Sequence, residues 1–408
     1  MSAVRRPLPW LIFGGLFVAA LSMRSPIVAP TPVMSRIAAD FGIDAGTAGL
    51  ITTAPVLMFA LLTPVTAVVV RRRGPEAALM MTLVGVLIGS FVRALPGFGW
   101  MLAGMVIIGA VIMIGNVAVP VIIRRDTRPD RVPLVTAAYT AMLNVGSLLT
   151  TLLTAPLADA VGWSLALLLW SSITVAGVLL WGAHLIRSRK SVPDAAAVAA
   201  ERDAVAAVTG PIPVVGPKPR LLRPVTIVLL LAFGMQSGAY YSLTTWLPSI
   251  AHDVLGEGTT AAGALASIFQ GVAIVGALLI PVLMRYLPIP AVSGIVGLAW
   301  VTVTLGMTIA PHLMALWMTI GGFAQAGGFI TILTLMVTAA RSDYEAAGMS
   351  AIVQGGGYLI STTGAPVTGL LHDVSGGWAV PLWVLTAVSV VYLLTLVVAS
   401  RMARPRPA

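Results

Sequence analysis

The sequence predicts an all-α membrane protein of twelve transmembrane helices in two six-helix bundles. Three observations carry that expectation. Apolar residues fill 58% of the 408 positions and charged residues only 9%, where a soluble domain carries about 25% charged residues. Apolar runs long enough to cross a bilayer as a helix, about 20 residues, recur twelve times. A single long polar interval divides them six and six.

The first six runs cover 10–31, 46–70, 76–95, 99–123, 132–156 and 162–186. The first follows "MSAVRRPLPW" without a small-residue cleavage site, so it reads as a retained helix and not a signal peptide. Residues 187–222 hold "RSRKSVPD", an alanine-rich mixed-charge stretch and "GPIPVVGPKPR". Proline and glycine there predict an irregular linker with one short surface helix. The second six runs cover 223–249, 260–284, 288–310, 312–339, 346–368 and 377–400. Runs nine and ten almost touch, which predicts a tight hairpin at Pro311. The expected organisation is therefore an N-terminal bundle over 1–186, a linker over 187–222 and a C-terminal bundle over 223–408.

Charge sets the orientation. With the N-terminus inside, 21 of the 24 Lys and Arg fall in cytoplasmic segments, Arg36 alone falls outside, and Arg24 and Arg93 fall within spans. The positive-inside rule then predicts both termini and the linker on the cytoplasmic side. The net charge of +10 resides in these loops, which argues against nucleic acid as a partner. The 14 acids also sort to the two sides, eight cytoplasmic and six external (Asp40, Asp44, Asp159, Asp253, Glu257, Asp373), leaving none for the membrane interior.

The halves repeat weakly. A shift of 210 residues brings Asn144 onto Gln354, Gly146 onto Gly356, and Ala-Pro at 155–156 onto Ala-Pro at 365–366. Parallel repeats of this kind accompany two bundles that rock about a central site.

Several stretches carry a resemblance. They are "LSMRSPIVAPTPVMSRIAADFGI" (21–43), "GLITTAPVLMFALLTP" (49–64), "GSFVRALP" (89–96), "GNVAVPVIIRR" (115–125), "FGMQSGAYYSLTTWLP" (233–248) and "GMSAIVQGGGYLISTTGAP" (348–366). In order and in content the chain resembles the cyanate/nitroimidazole transporter family of the major facilitator superfamily. The resemblance implies secondary transport of a small solute by alternating access. Two features depart from the wider superfamily. The loop "TAVVVRRRGPEAAL" keeps its arginines and Gly74 but lacks the usual aspartate, and the fifth span carries Ala-Pro near its outer end in place of the Gly-Pro of drug/proton antiporters.

Arg24 is the residue that needs a reason. It lies 14 residues past Trp10, or about 21 Å along a helix, and the chain stays apolar to Pro32. A charge in hydrocarbon costs roughly 2.5–3.5 kcal/mol on insertion scales, and no membrane carboxylate is available to offset it. Arg93 reaches a comparable depth on the third span, with snorkelling to the outer interface as its competing reading. An arginine fork suits a small or planar anion, so the expected cargo is a small anion or small polar planar solute. The expected binding group is Arg24, Arg93, Asn116, Asn144, Gln236, Tyr240, Tyr241, Gln354 and Tyr358. For each amide, interhelical hydrogen bonding competes with cavity lining. Trp246 is expected in the interfacial aromatic belt.

Other classes fit less well. Efflux of neutral or cationic drug-like compounds is the alternative within transport, opposed by two buried positive charges and no acid. An enzyme would need convergent His, Asp, Glu or Cys in the bundle. There is no cysteine, and the four histidines fall near span ends. No cofactor or metal is implied. The expected partners are the small-molecule cargo and the lipid bilayer, with the chain acting as a monomer.

Overall fold

The computed structural model describes residues 10–128, 130–188, 201, 203–205 and 222–403. Most of the expected linker lies outside the described residues.

The described chain is helical, with no strand among these residues. In the first half α1 (Trp10–Val28) leads through a 3-10 turn (Thr31–Val33) into α2 (Met34–Phe41), then α3 (Ala45–Ala48) and α4 (Leu50–Arg73). α5 (Pro75–Val92), α6 (Phe98–Asp126), α7 (Val132–Val161), α8 (Trp163–Leu169) and α9 (Ser171–Ser188) complete it. The second half holds α10 (Pro224–Leu255), α11 (Thr259–Tyr286), α12 (Ile289–Ile309), α13 (Met314–Ala339), α14 (Asp343–Ser361), α15 (Gly364–Ser375) and α16 (Ala379–Met402). Eleven stretches are long and apolar enough to cross a membrane. α14 with α15 makes the twelfth crossing, so the twelve-helix architecture in two six-helix bundles holds. The Pro311 hairpin is a 3-10 turn, Pro311–Leu313, between α12 and α13.

Two crossings are broken where one run was expected. The sixth divides at Trp170, between α8 and α9. The eleventh divides at Thr362–Thr363, because Pro366 has no N–H to offer the Thr362 carbonyl and its ring crowds that turn.

Large apolar side chains point outward all round the molecule, among them Leu134, Leu179, Leu298, Val337 and Leu394. Water would not tolerate so continuous an apolar surface, whereas lipid does. Inside each half the helices pack closely: α5 and α4 on α6, α1 on α7 and α9, then α11 on α13, α12 on α16 and α10 on α14.

The halves meet along α7 with α11, α4 with α14 and α3 with α15. The end of the molecule away from the linker, here the far end, is sealed. A Cβ on Gly49 would lie 2.8 Å from the Ala365 carbonyl, and one on Gly369 would lie 2.4 Å from the Ala45 oxygen. Only glycine permits backbones this close. Thr52 and Thr245 share a buried hydroxyl hydrogen bond of 2.7 Å. Arg36 donates to Asp159 at 2.6 Å and to Thr259 at 2.8 Å, and the Gly46 N–H donates to Asp373 at 3.1 Å. Asp44 caps α3 through the Thr47 N–H at 2.6 Å, which holds its carboxyl below the usual carboxylate range.

At the linker end the charges pair differently. Arg125 binds Glu76, Asp126 and the linker residue Glu201. Arg223 binds Glu345 at 2.8 Å. These arginines and acids are paired inside a half or with the linker, not from one half to the other.

Candidate functional site

The candidate site lies between the halves. Arg24, on the far half of α1, is half-buried and projects from the first bundle toward the second. Its Nη2 donates to the Tyr240 hydroxyl at 2.7 Å, and its guanidinium carbon sits 5.4 Å from the centre of the same ring. A guanidinium over an aromatic face gains roughly 0.5–2 kcal/mol. Tyr241 and Tyr358 stand close enough to act on its charge, as does Tyr139 of α7. Among the described residues no carboxylate pairs with Arg24. The Tyr240 hydroxyl accepts one of its donors without supplying a carboxylate's charge.

This arrangement has a chemical consequence. Tyr240 accepts from Arg24 through oxygen, which leaves its own O–H free to donate. Arg24 and Tyr240 can therefore both donate to one acceptor group. Aromatic walls flank the donors. Phe59 of α4 meets Tyr358 edge-on at 5.6 Å, Tyr358 meets Phe233 at 5.0 Å, and Tyr240 contacts Tyr241 at 5.0 Å while stacking on Phe269 at 6.1 Å. The Phe59–Tyr358 contact, like Arg24–Tyr240, joins the two halves.

The nine residues expected at the site divide into three groups. Arg24, Tyr240, Tyr241 and Tyr358 come together. Asn116, Asn144 and Gln354 are half-buried. Asn144 donates to the Thr140 carbonyl and Gln354 to the Ser350 hydroxyl, each on its own helix, and Asn116 takes no described hydrogen bond. Gln236 and Arg93 turn into their own bundles. Gln236 donates to the Gln325 carbonyl at 3.3 Å. Arg93 is 2% exposed and donates to two backbone carbonyls, Pro26 at 2.6 Å and Leu167 at 3.0 Å. It neither snorkels nor joins Arg24. Trp246 likewise leaves the expected interfacial belt, since it is buried and donates to the Ala365 carbonyl at 2.8 Å. Tyr139 and Phe59 were not singled out by the sequence. A phenol within an apolar span was the available signal for Tyr139, whereas a lone Phe in such a span carries none. A surface cleft lined by Asp44, Thr47, Leu50, Pro366 and Leu370 lies on the far-end seam, outside this group.

A family model described as Major Facilitator Superfamily matches residues 12–342. The chain belongs to that superfamily. Within it, the chain is similar to the 2-nitroimidazole transporter of Escherichia coli, 28% identical over 376 residues that cover 91% of each chain. It is also similar to the cyanate transport protein CynX of the same organism, 24% identical with 93% of this chain and 94% of that one covered. Among solved structures, a crystal structure of the nucleoside transporter NupG superposes with a TM-score of 0.74 at 12% identity, covering 95% of this chain and 99% of that one. That likeness is one of fold. In this major facilitator protein the candidate site lies where the two halves face each other.

Proposed function

We propose that this protein carries a small anion or small polar planar solute, cyanate-like or nitroimidazole-like, across a bacterial plasma membrane by alternating access. The observation that carries the reading is Arg24. A guanidinium held deep between the bundles, bonded to a phenol of the opposite half and without a carboxylate, is most stable when an anionic or strongly dipolar cargo completes it. The names of the two relatives above support the same class. Arg24 supplies the charge, Tyr240 and Tyr241 supply phenol donors, and Tyr358 with Phe59 supplies a flat wall. Asn116, Asn144 and Gln354 are the amides placed to contribute further polar contacts.

The positive-inside count places the termini and the linker end in the cytoplasm. The sealed far end is then external. With no acid beside Arg24 among the described residues, proton coupling would need a protonatable cargo or an unusual group such as tyrosine. Uniport and anion exchange need no such group.

Flux into proteoliposomes tests the reading. Labelled cyanate, 2-nitroimidazole and a panel of small anions are compared with a neutral and a cationic dye. The expected result is saturable uptake of an anion or planar polar solute, weakened by Arg24→Lys and nearly abolished by Arg24→Ala. Loss of one charge-assisted hydrogen bond costs about 1.5–3 kcal/mol, roughly ten- to 150-fold in affinity. Dye transport that survives Arg24→Ala would favour drug efflux and overturn the proposal.

A further inference from the structure

Arg93 follows the last residue of α5 and is wholly enclosed in the first bundle, with its Nε unpartnered. Its two carbonyl partners raise a question, because a helix carbonyl normally bonds the N–H four residues on. For Pro26 the reason lies in the sequence. Ala29 still bonds in helical register, N–H to the Ser25 oxygen at 2.8 Å. Residue 30 keeps a helical backbone, φ −65° and ψ −25°, so its N–H would meet the Pro26 oxygen. Residue 30 is proline and has none. For Leu167 the reason is its place in the last turn of α8, which ends at Leu169, where helix carbonyls lose their N–H partners.

A buried carbonyl left unpaired is costly. The Arg93 guanidinium meets both, with Nη1 also 3.8 Å from the Met105 sulfur. Space for it comes from Gly104, where a Cβ would stand 2.5 Å from the Arg93 Cβ.

We propose that Arg93 is a positioning residue: it stands in for the N–H that Pro30 lacks, pins the turn of α1 just past Arg24 to α5, α6 and α8, and so holds the Arg24 guanidinium against Tyr240. Arg24 is two positions before Pro26, on the turn that Arg93 fixes. The importance of this for transport rests on the assignment of Arg24 to cargo binding. The contact itself does not, so its test uses no cargo, and flux through Arg24→Ala separately judges that assignment.

The test is a thermal double-mutant cycle on the purified full chain. Tyr240→Phe removes the acceptor of Arg24 and is expected to lower Tm by about 2–4 °C in the parent. In the Arg93→Gln background the same change should lower Tm by less than half as much, because Arg24 no longer meets Tyr240. Adding Pro30→Ala to Arg93→Gln restores an N–H at residue 30 and should bring back the full Tyr240→Phe shift. A merely structural Arg93 would lower Tm on its own while leaving the Tyr240→Phe shift at its parent size, and that result would overturn the proposal. Arg93→Lys, which retains a single donor group, replaces Arg93→Gln if the latter does not fold. An undiminished Tyr240→Phe shift in that background overturns it equally.

Discussion

Replacing Gly49 with alanine should drive the protein out of the arrangement described here. The new methyl carbon would lie 2.8 Å from the carbonyl carbon and oxygen of Ala365 and from the nitrogen of Pro366. Ordinary contact begins at 3.4 Å, so α4 and α15 must part by more than half an ångström. The obstructing atoms are backbone. They cannot swing aside as a side-chain tip would, and the Ala365 oxygen is held by the Trp246 indole. Alanine is not strained at residue 49, where φ is −57° and ψ −23°, so the contact is the whole effect. Overpacking of this kind costs about 1–3 kcal/mol. The cost falls only on the state in which the far ends touch, which is a shift of roughly five- to 150-fold toward the state open at that end. The chain has no native cysteine, so spin labels at Ala39 and Val374 report the far-end distance and labels at Arg72 and Arg341 the linker end. The first distance should lengthen and the second shorten. Gly99→Ala, where the added carbon meets nothing within 4 Å, is the control. A folded Gly49→Ala protein whose two distance distributions match the parent would refute the packing argument.

Perturbations at the two ends should act in graded fashion. Asp159→Asn weakens a half-exposed pair with Arg36, so it should shift the balance of states seen by the far-end labels by about 0–1 kcal/mol, less at high salt. Asp44→Ala removes the cap of α3 and should give a small Tm drop. Because the Asp44 carboxyl is held below its usual range, its share of stability is present at neutral pH and is lost only as pH falls through that lowered value. Asp44→Ala and parent should therefore converge in Tm at strongly acid pH. Arg223→Ala removes one ion-pair partner of Glu345 at 2.8 Å and leaves it the Arg341 N–H, and should give a larger Tm drop than Asp159→Asn produces.

The crossings were legible because lipid demands long apolar runs, and a single charge inside one, Arg24, was conspicuous for the same reason. What hydropathy does not encode is azimuth. Arg24 and Arg93 read as equivalents by depth, yet one faces the opposite bundle and the other its own. The deciding signal for Arg93 was on a different span, at Pro30, where a missing N–H created a demand that only tertiary packing could meet. Gln236 shows the same ambiguity, since its amide turns to the Gln325 carbonyl. The breaks at Trp170 and at Thr362–Thr363 were hidden in continuous apolar runs, although Pro366 marked the second in retrospect. Trp246 was expected at the interface because of its residue type, and helix packing around Ala365 took it inside.

The broken eleventh crossing divides labour along one path. α15, past the break, presses on Gly49 and Ala45 at the sealed end. α14, before it, carries Tyr358 against Phe59 near its own terminus and Glu345 at the other end. The joint at Thr362–Thr363 falls between the aromatic wall and the seal. A tilt of α14 about that joint would move Glu345 furthest and Tyr358, one turn from the pivot, least, while α15 stays seated. The seal at one end and the Arg223–Glu345 pair at the other are therefore not rigidly coupled through this crossing: a shift at the linker end need not be felt at Gly49.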